Sequence, residues 1–303
     1  MVFITILLGL LPSFLMVALG GAVRNRLSGN AWQGLDRLNF EILFPALLFV
    51  AASSRPIAVA DIARIGPAVW TILLAGLAIG WGARRFGPAR FLDFAGAWQT
   101  AWRFNTAVGF VALGTLSRGN PGILSVAVGM AVPVANLFAI TALSRGGSLG
   151  LRQTVLKVVL NPFLLASLAG VAVGLSGLHL PDPVMAPLKM LAQAAIPVAL
   201  ISIGATMNWG ALARLTRFDA YICATKLVAL PALTFAASLG FGVDPALASV
   251  LVLFAALPTA SAAHVLASAF GADRELVATL IAQSTLLSAA TLPLWILATE
   301  LGF

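Results

Sequence analysis

The most informative stretch of the sequence is a proline followed by small and hydroxyl-bearing residues inside a long apolar run. Pro258, Thr259 and Ser261 lie there, and His264 follows them. Proline lacks a backbone N–H and clashes with the preceding helical turn, so a helix entering this stretch should break near Leu257. An interrupted span needs protein or water around it, because hydrocarbon cannot satisfy the freed backbone groups. Transporters build substrate and ion sites at such breaks, so the stretch predicts a binding site, although a proline kink without a ligand gives the same pattern.

A second apolar run, Phe94–Leu116, is polar at its centre, where it carries Arg103, Asn105 and Thr106. An arginine this deep in a span costs at least ~2.5 kcal/mol, so it faces protein or water and usually serves function. Asn105 carries both a donor and an acceptor: its amide N–H can donate to a substrate carboxylate, and the side chain can donate to or accept from exposed backbone. The alternative is that Arg103 only caps carbonyl groups of a neighbouring broken helix. The run contains no proline, so a break there would depend on Asn105, Thr106 and Gly109.

Three titratable residues are candidates for charge or proton coupling. Lys226 could hold the charge of an anionic substrate, although an ion pair or a snorkelling side chain explains it equally well. His264 could relay protons because histidine titrates near neutral pH, and a hydrogen-bonded packing role is the alternative. Glu41 is the only acid well inside a span, and Asp36 and Arg37 nearby suggest pairing as readily as coupling.

The composition identifies the class of protein. The 303 residues are 60% hydrophobic and only 9% charged, with a mean hydropathy of +1.02, whereas soluble domains carry about 25% charged residues. The net charge is +8, but the basic residues lie at the ends of apolar runs, which argues against a nucleic-acid partner. The single Cys223 excludes an internal disulfide. We expect an all-α polytopic membrane protein that contacts lipids and needs no cofactor.

Runs of roughly 20 apolar residues mark the spans. They predict ten transmembrane helices, near Val2–Val23, Leu35–Ser53, Ile65–Trp81, Phe94–Leu116, Gly122–Leu143, Val155–Leu178, Val184–Met207, Phe218–Leu239, Pro245–Ala269 and Leu276–Leu297. Twelve lysines and arginines lie in the connections after the odd-numbered spans and only four in the others, Arg55, Arg64, Arg118 and Lys189. Cytoplasmic loops attract the excess, so both termini are expected on the outer side of the membrane.

The two halves of the chain echo each other. Pro45 matches Pro197 at an offset of 152 residues, and Thr106 matches Pro258 at the same offset. Five spans per half is an odd number, so the second copy must enter the membrane upside down, which is typical of transporters. We therefore expect one repeat over 1–150 and an inverted repeat over 151–303.

Neutral polar side chains complete the candidate binding set. Asn136 and Ser288 share the 152-residue offset and could line a site from each half, and Gln283 and Ser284 could do likewise. The alternative for each is a hydrogen bond to its own helix or to a neighbouring one, which is common for serine in spans.

Four motifs resemble the bacterial branch of the auxin efflux carrier family, and especially its malonate and dicarboxylate members. They are Arg103–Gly109, Leu257–Ser261, Lys226–Pro231 and Ser284–Pro293. The resemblance implies two inverted five-helix repeats, with spans one, two, six and seven as a dimerising scaffold and the other six as a moving transport unit. It also implies that broken spans four and nine cross at the substrate site, as in the elevator fold of the bile-acid sodium symporters. The long loop of the plant carriers is absent, since only Ser144 to Gly150 join the halves.

These observations predict a homodimeric elevator carrier of small organic anions, such as the dicarboxylate malonate. Arg103 and Asn105 would contact the carboxylate, and Thr259 and Ser261 would complete the site. Neither crossover carries an acid, so proton coupling or a potential-driven uniport is favoured over sodium, which prefers oxygen ligands that include a carboxylate. The alternatives are a sodium-coupled organic-anion symporter and an exporter of auxin-like aromatic weak acids.

Two other functional classes fit less well. An intramembrane enzyme needs paired acids, a metal cluster or an activated nucleophile, and His179 and His264 lie on different predicted helices without such partners. A membrane sensor would normally carry a soluble output domain, for which the sequence has no room between its spans. We therefore do not expect an enzyme.

Overall fold

The structure, a computed structural model, describes residues 2–53, 59–145, 156, 159–178, 180–210 and 214–303. Over these residues every regular element is a helix and no strand occurs. Arg55, Arg152, Lys157 and His179, which entered the charge and histidine arguments, lie outside the described residues.

Fourteen α-helices are bounded within these ranges. In chain order they are α1 Val2–Val23, α2 Gly29–Leu38, α3 Phe44–Ser53, α4 Val59–Trp81, α5 Phe91–Trp98, α6 Thr106–Leu113, α7 Pro121–Arg145, α8 Pro162–Ser176, α9 Asp182–Thr206, α10 Arg217–Ala224, α11 Leu230–Gly240, α12 Pro245–Ala256, α13 Ala262–Phe270 and α14 Arg274–Gly302. Turns of 3₁₀-helix follow α4 and α5, at Gly82–Arg85 and Gln99–Ala101.

Five helical stretches of the described chain are long and apolar enough to cross a membrane. They are Ala63–Arg85, Pro121–Arg145, Asp182–Thr206, Arg217–Gly240 and Arg274–Gly302. Each overlaps one of the predicted spans, which confirms a helical, multi-pass membrane protein. The count of ten spans and their inverted arrangement stay predictions.

Two of the predicted spans are each divided into two helices. The predicted break near Leu257 is confirmed, because α12 ends at Ala256, α13 begins at Ala262 and Leu257 has extended backbone. The predicted span Phe94–Leu116 is likewise divided, into α5 and α6, and the side chain of Asn105 caps the start of α6 by accepting from the backbone N–H of Val108.

Two π-helical turns join neighbouring helices into longer rods. Asn39–Leu43 connects α2 to α3, and Thr225–Ala229 connects α10 to α11. The rod formed by α2 and α3 corrects the start of the second predicted span. Its helix begins at Gly29 rather than Leu35, because the Ser28 hydroxyl accepts from the Ala31 N–H and caps the helix there.

Helices α1, α3, α8 and α9 form one packed group, in which α9 lies against both α1 and α3, and α3 also lies against α8. Glycine permits the closest of these approaches. A Cβ atom on Gly20 would overlap the carbonyl oxygen of Ile201, and one on Gly204 would overlap that of Val17. The backbones of α1 and α9 are therefore in direct contact, as small residues allow in membrane helix packing.

Helix α12 lies in the interior of the molecule. Every residue from Leu247 to Leu257 is buried. It contacts α11, α14, α7 and α6, so the break that follows it opens deep inside the protein.

Candidate functional site

The two helix breaks lie against each other and exchange hydrogen bonds. The backbone N–H of Asn105 donates to the carbonyl of Pro258 at 2.8 Å, and the Thr259 hydroxyl donates to the carbonyl of Thr100 at 2.9 Å. Buried backbone groups that leave a helix need such partners. Each break therefore supplies hydrogen-bond partners for backbone groups of the other. We call the two segments together, residues 100–105 and 257–261, the crossing.

A cavity of about 140 Å³ opens beside the crossing, between α3, α7 and α9. Its polar lining comes from six residues, which are Ser13, Arg103, Asn105, Thr106, Asn136 and Ser261. The apolar lining includes Phe44, Leu47, Phe104, Val128, Leu200 and Phe254. A concave, mostly apolar site with a few convergent polar groups is the usual form of a small-ligand site.

Arg103 supplies the positive charge of this cavity. Its guanidinium donates to the Asn136 side-chain oxygen at 2.8 Å, and the Asn136 amide donates in turn to the Ser167 hydroxyl at 3.1 Å. Arg103 is only 4% exposed, and its Nε has no hydrogen-bond partner. Within the described residues no carboxylate lies at ion-pair distance from it. Arg103 is thus held by neutral groups and keeps donors for a ligand.

Lys226 lies behind the cavity rather than in its lining. The side chain is fully buried, and its Nζ lies 3.0 Å from the centroid of the Phe104 ring. Nζ donates no hydrogen bond to any acceptor in the part of the chain that the structure describes. The Phe104 ring packs against that of Phe254 at 4.4 Å between centroids, and both rings line the cavity.

Several predicted site residues are not brought into the cavity lining. Pro258 contributes its carbonyl to the crossing, and Thr259 uses its hydroxyl there. The Ser284 hydroxyl accepts from the Thr259 N–H at 3.3 Å and so supports the second break. The Ser288 hydroxyl donates to the carbonyl of Thr285 in its own helix. Gln283 donates to the Arg214 carbonyl at 3.4 Å.

A second buried polar group, the Asp36 cluster, was missed by the sequence analysis. We use this name for Asp36, Ser202, His264, Ser268 and Arg274. One carboxylate oxygen of Asp36 accepts from Ser202 at 2.5 Å, and the other accepts from Ser268 at 2.7 Å and from Arg274 at 3.1 Å. The His264 Nε2 lies 3.6 Å from the first oxygen. His264 therefore faces this cluster and not the cavity.

Glu41 forms a surface pair with Arg37 at 2.8 Å, which agrees with the pairing alternative. Both side chains are well exposed, at 49% and 78%. The signal that could have located Asp36 is its spacing from buried neighbours. Trp32, Asp36, Asn39 and Leu43 follow one another at intervals of three or four residues, which puts them on one face of a helix, and all four are buried.

Comparison with known proteins gives the family. A family model described as "Membrane transport protein" matches residues 148–296. The "Putative malonate transporter" of Rhizobium meliloti (strain 1021) is 31% identical over 312 residues, which cover 93% of this chain and 92% of the relative. An "Uncharacterized transporter" of Methanothermobacter thermautotrophicus is 34% identical over 140 residues, 46% of either chain. The family resemblance of the four motifs is confirmed. The protein is a multi-pass membrane transporter, and the chain belongs to the auxin efflux carrier family of membrane transport proteins.

Proposed function

We propose that the protein carries small dicarboxylates such as malonate across the cell membrane, with Arg103 as the residue that binds a carboxylate. The observation that carries this proposal is the buried guanidinium in the cavity, whose hydrogen-bond partner is a neutral amide. An isolated buried charge is costly. A substrate carboxylate would offset that cost through charge-assisted, often bidentate, hydrogen bonds.

The amino-terminal ends of two helices at the crossing also favour a negatively charged substrate. Thr106, the first residue of α6, and Ala262, the first residue of α13, both line the cavity. Helix amino termini carry partial positive charge and free N–H donors, so they favour an anion. Arg103 and the two helix starts thus present positive potential to the same space.

The size of the cavity favours a small substrate. Its volume is about 140 Å³, whereas sites for drug-sized ligands measure about 300–1,000 Å³. A three-carbon dicarboxylate suits such a volume, and the name of the Rhizobium meliloti relative supports malonate as the first substrate to test.

For the mechanism we propose an elevator. The packed group of α1, α3, α8 and α9 would belong to the scaffold formed by spans one, two, six and seven. The crossing would travel with the other six spans. In this proposal the repeats over 1–150 and 151–303 are inverted, two copies dimerise through their scaffolds, and both termini lie outside the bacterial inner membrane.

Coupling to protons or to the membrane potential is proposed in preference to sodium. The cavity lining contains no carboxylate, and Na⁺ sites use oxygen ligands that often include one. His264 and Lys226 stay the candidates for coupling, and Glu41 is the weakest because it is exposed and paired.

A second candidate substrate class is supported by a second cavity. It has a volume of about 240 Å³, shares Asn105 and Ser261 with the first, and continues along α1 and α14 between Phe14, Trp209 and Ile281. Its lining is almost wholly apolar. A larger weak acid could place its carboxylate near Arg103 and its apolar body there, as an auxin-like aromatic acid would require.

The experiment is uptake of labelled malonate into proteoliposomes, with proton, sodium and voltage gradients imposed in separate arms. We expect saturable uptake that a proton gradient or a potential stimulates and that sodium leaves unchanged. Unlabelled indole-3-acetate as competitor tests the second substrate class in the same vesicles. Folded protein that takes up no malonate under any gradient, and takes up labelled indole-3-acetate instead, would contradict the dicarboxylate assignment and favour the second class.

A further inference from the structure

A lysine that reaches neither solvent nor a counter-ion contacts the wall of the cavity. Lys226 is fully buried in the π-helical turn Thr225–Ala229, and its ammonium lies 3.0 Å from the centroid of the Phe104 ring. No acid of the described chain lies within ion-pair distance of Nζ. π-Helical turns are rare and often mark functional sites.

Phe104 connects this ammonium to the substrate site. The residue lies between Arg103 and Asn105 in the chain, and its ring forms part of the cavity wall beside Phe254. An ammonium over an aromatic face is held by the ring quadrupole. The Lys226 side chain therefore packs against a wall of the cavity, and its amine, when protonated, places a second positive charge next to that wall.

When Lys226 is protonated, no acid within the described protein lies close enough to cancel its charge. In a low-dielectric interior, unlike in water, the field of such a charge acts over many ångströms. Arg103 supplies one positive charge to the cavity and Lys226 a second one from behind Phe104. A substrate with two negative charges would compensate both, and one with a single charge would leave one uncompensated.

We propose that Lys226 is protonated when substrate occupies the cavity, and that it is a specificity-determining residue that makes the site prefer doubly charged anions to singly charged anions of the same size. This inference rests on the proposed function and adds to it the residue that selects substrate charge. Lys226 acts through the field and through Phe104, without touching the substrate, so it is a positioning residue and not a direct ligand.

The test compares malonate with malonamate, which replaces one carboxylate by an amide of nearly equal size. Each is measured as a competitor of labelled malonate uptake in proteoliposomes. We expect the wild type to favour malonate by about tenfold, which corresponds to ~1.4 kcal/mol of differential binding. Lys226→Met, which keeps length and removes charge, should bring the ratio close to one. Lys226→Arg should restore the preference. Lys189→Met, at an exposed lysine on α9, is the matched control and should leave the ratio unchanged.

The outcomes separate this inference from the proposed function. Malonate uptake by the wild type with a malonate-to-malonamate ratio near one would overturn the inference and leave the proposed function standing. An unchanged ratio in Lys226→Met, or an equal loss of affinity for both compounds, would overturn it as well. A folded wild type that carries neither compound would overturn the proposed function itself. If Lys226→Met does not fold, the malonate-to-malonamate ratio is measured for Lys226→Gln instead and compared with the wild-type ratio, and a ratio near one is again expected for the variant.

Discussion

Two buried polar regions of this protein differ in how their charges are satisfied. In the Asp36 cluster the carboxylate accepts hydrogen bonds on both oxygens, from three helices or their ends. At the cavity, Arg103 donates to one neutral amide, and the Nζ of Lys226, which lies behind the wall, is over an aromatic ring and has no hydrogen-bond partner in the described chain. A buried charge that the protein itself satisfies contributes to structure, whereas one left with free donors is suited to a ligand. The comparison supports the proposal that the cavity binds substrate and that the cluster holds the helices together.

The largest expected effect is on transport, from a change in the cavity. Arg103→Gln keeps a donor toward Asn136 and removes the charge. It should reduce malonate uptake by about 100-fold, since losing a buried charge partner costs 2–5 kcal/mol of binding. The apparent Tm should stay within a few degrees of the wild type, because no described acid loses its partner. Proteoliposome uptake and a thermal unfolding curve of the same detergent preparation measure the two quantities.

The control for this variant is Arg145→Gln, at the exposed end of α7. It should change neither uptake nor Tm. A fall in Tm for Arg103→Gln that matches its loss of transport would mean that Arg103 holds the crossing together and does not bind substrate.

The next effect is on stability, from a change in the cluster. Asp36→Asn removes the charge that faces Arg274 and His264, and it should destabilise the protein by roughly 2–4 kcal/mol, because a broken buried pair leaves its partner uncompensated. The readout is the apparent Tm in detergent. Glu41→Gln, on the same helical rod but in an exposed pair, should cost less than ~1 kcal/mol. Equal Tm values for the two variants would show that the Asp36 cluster does not stabilise the fold.

The smallest effect distinguishes two serines of the predicted set. Ser261 lines both cavities, whereas the Ser288 hydroxyl, as far as the structure describes the chain, bonds only within its own helix. Ser261→Ala should raise the KM for malonate by about threefold, as expected for one neutral hydrogen bond, and Ser288→Ala should leave it unchanged. A larger effect from Ser288→Ala would place the substrate on the α14 side of the crossing.

Local signals in the sequence were sufficient for some of these features and insufficient for others. The break at Leu257 could be predicted because proline acts on its own helix. The break before Thr106 has no such residue, and it is stabilised by the hydrogen bond from Asn105 to the distant Pro258. Helical spacing could have placed Asp36 on a buried face, but its partners were not predictable, since they lie 166, 232 and 238 residues away in the chain. The same holds for Thr259, whose hydroxyl is used by a backbone carbonyl 159 residues away.

The hydrogen bonds between the two breaks have a thermodynamic consequence for the proposed carrier. Asn105 with Pro258, and Thr259 with Thr100, tie both half-helix pairs into one body. In the proposed elevator, a substrate bound to that body would keep the polar ligands of the body whichever side of the membrane it faces, and only the wall supplied by α1, α3 and α9 would change. Its dissociation constants on the two sides would then be nearly equal, and the carrier would have little intrinsic rectification. Under that mechanism the direction of net flux would be set by the imposed gradients rather than by the protein.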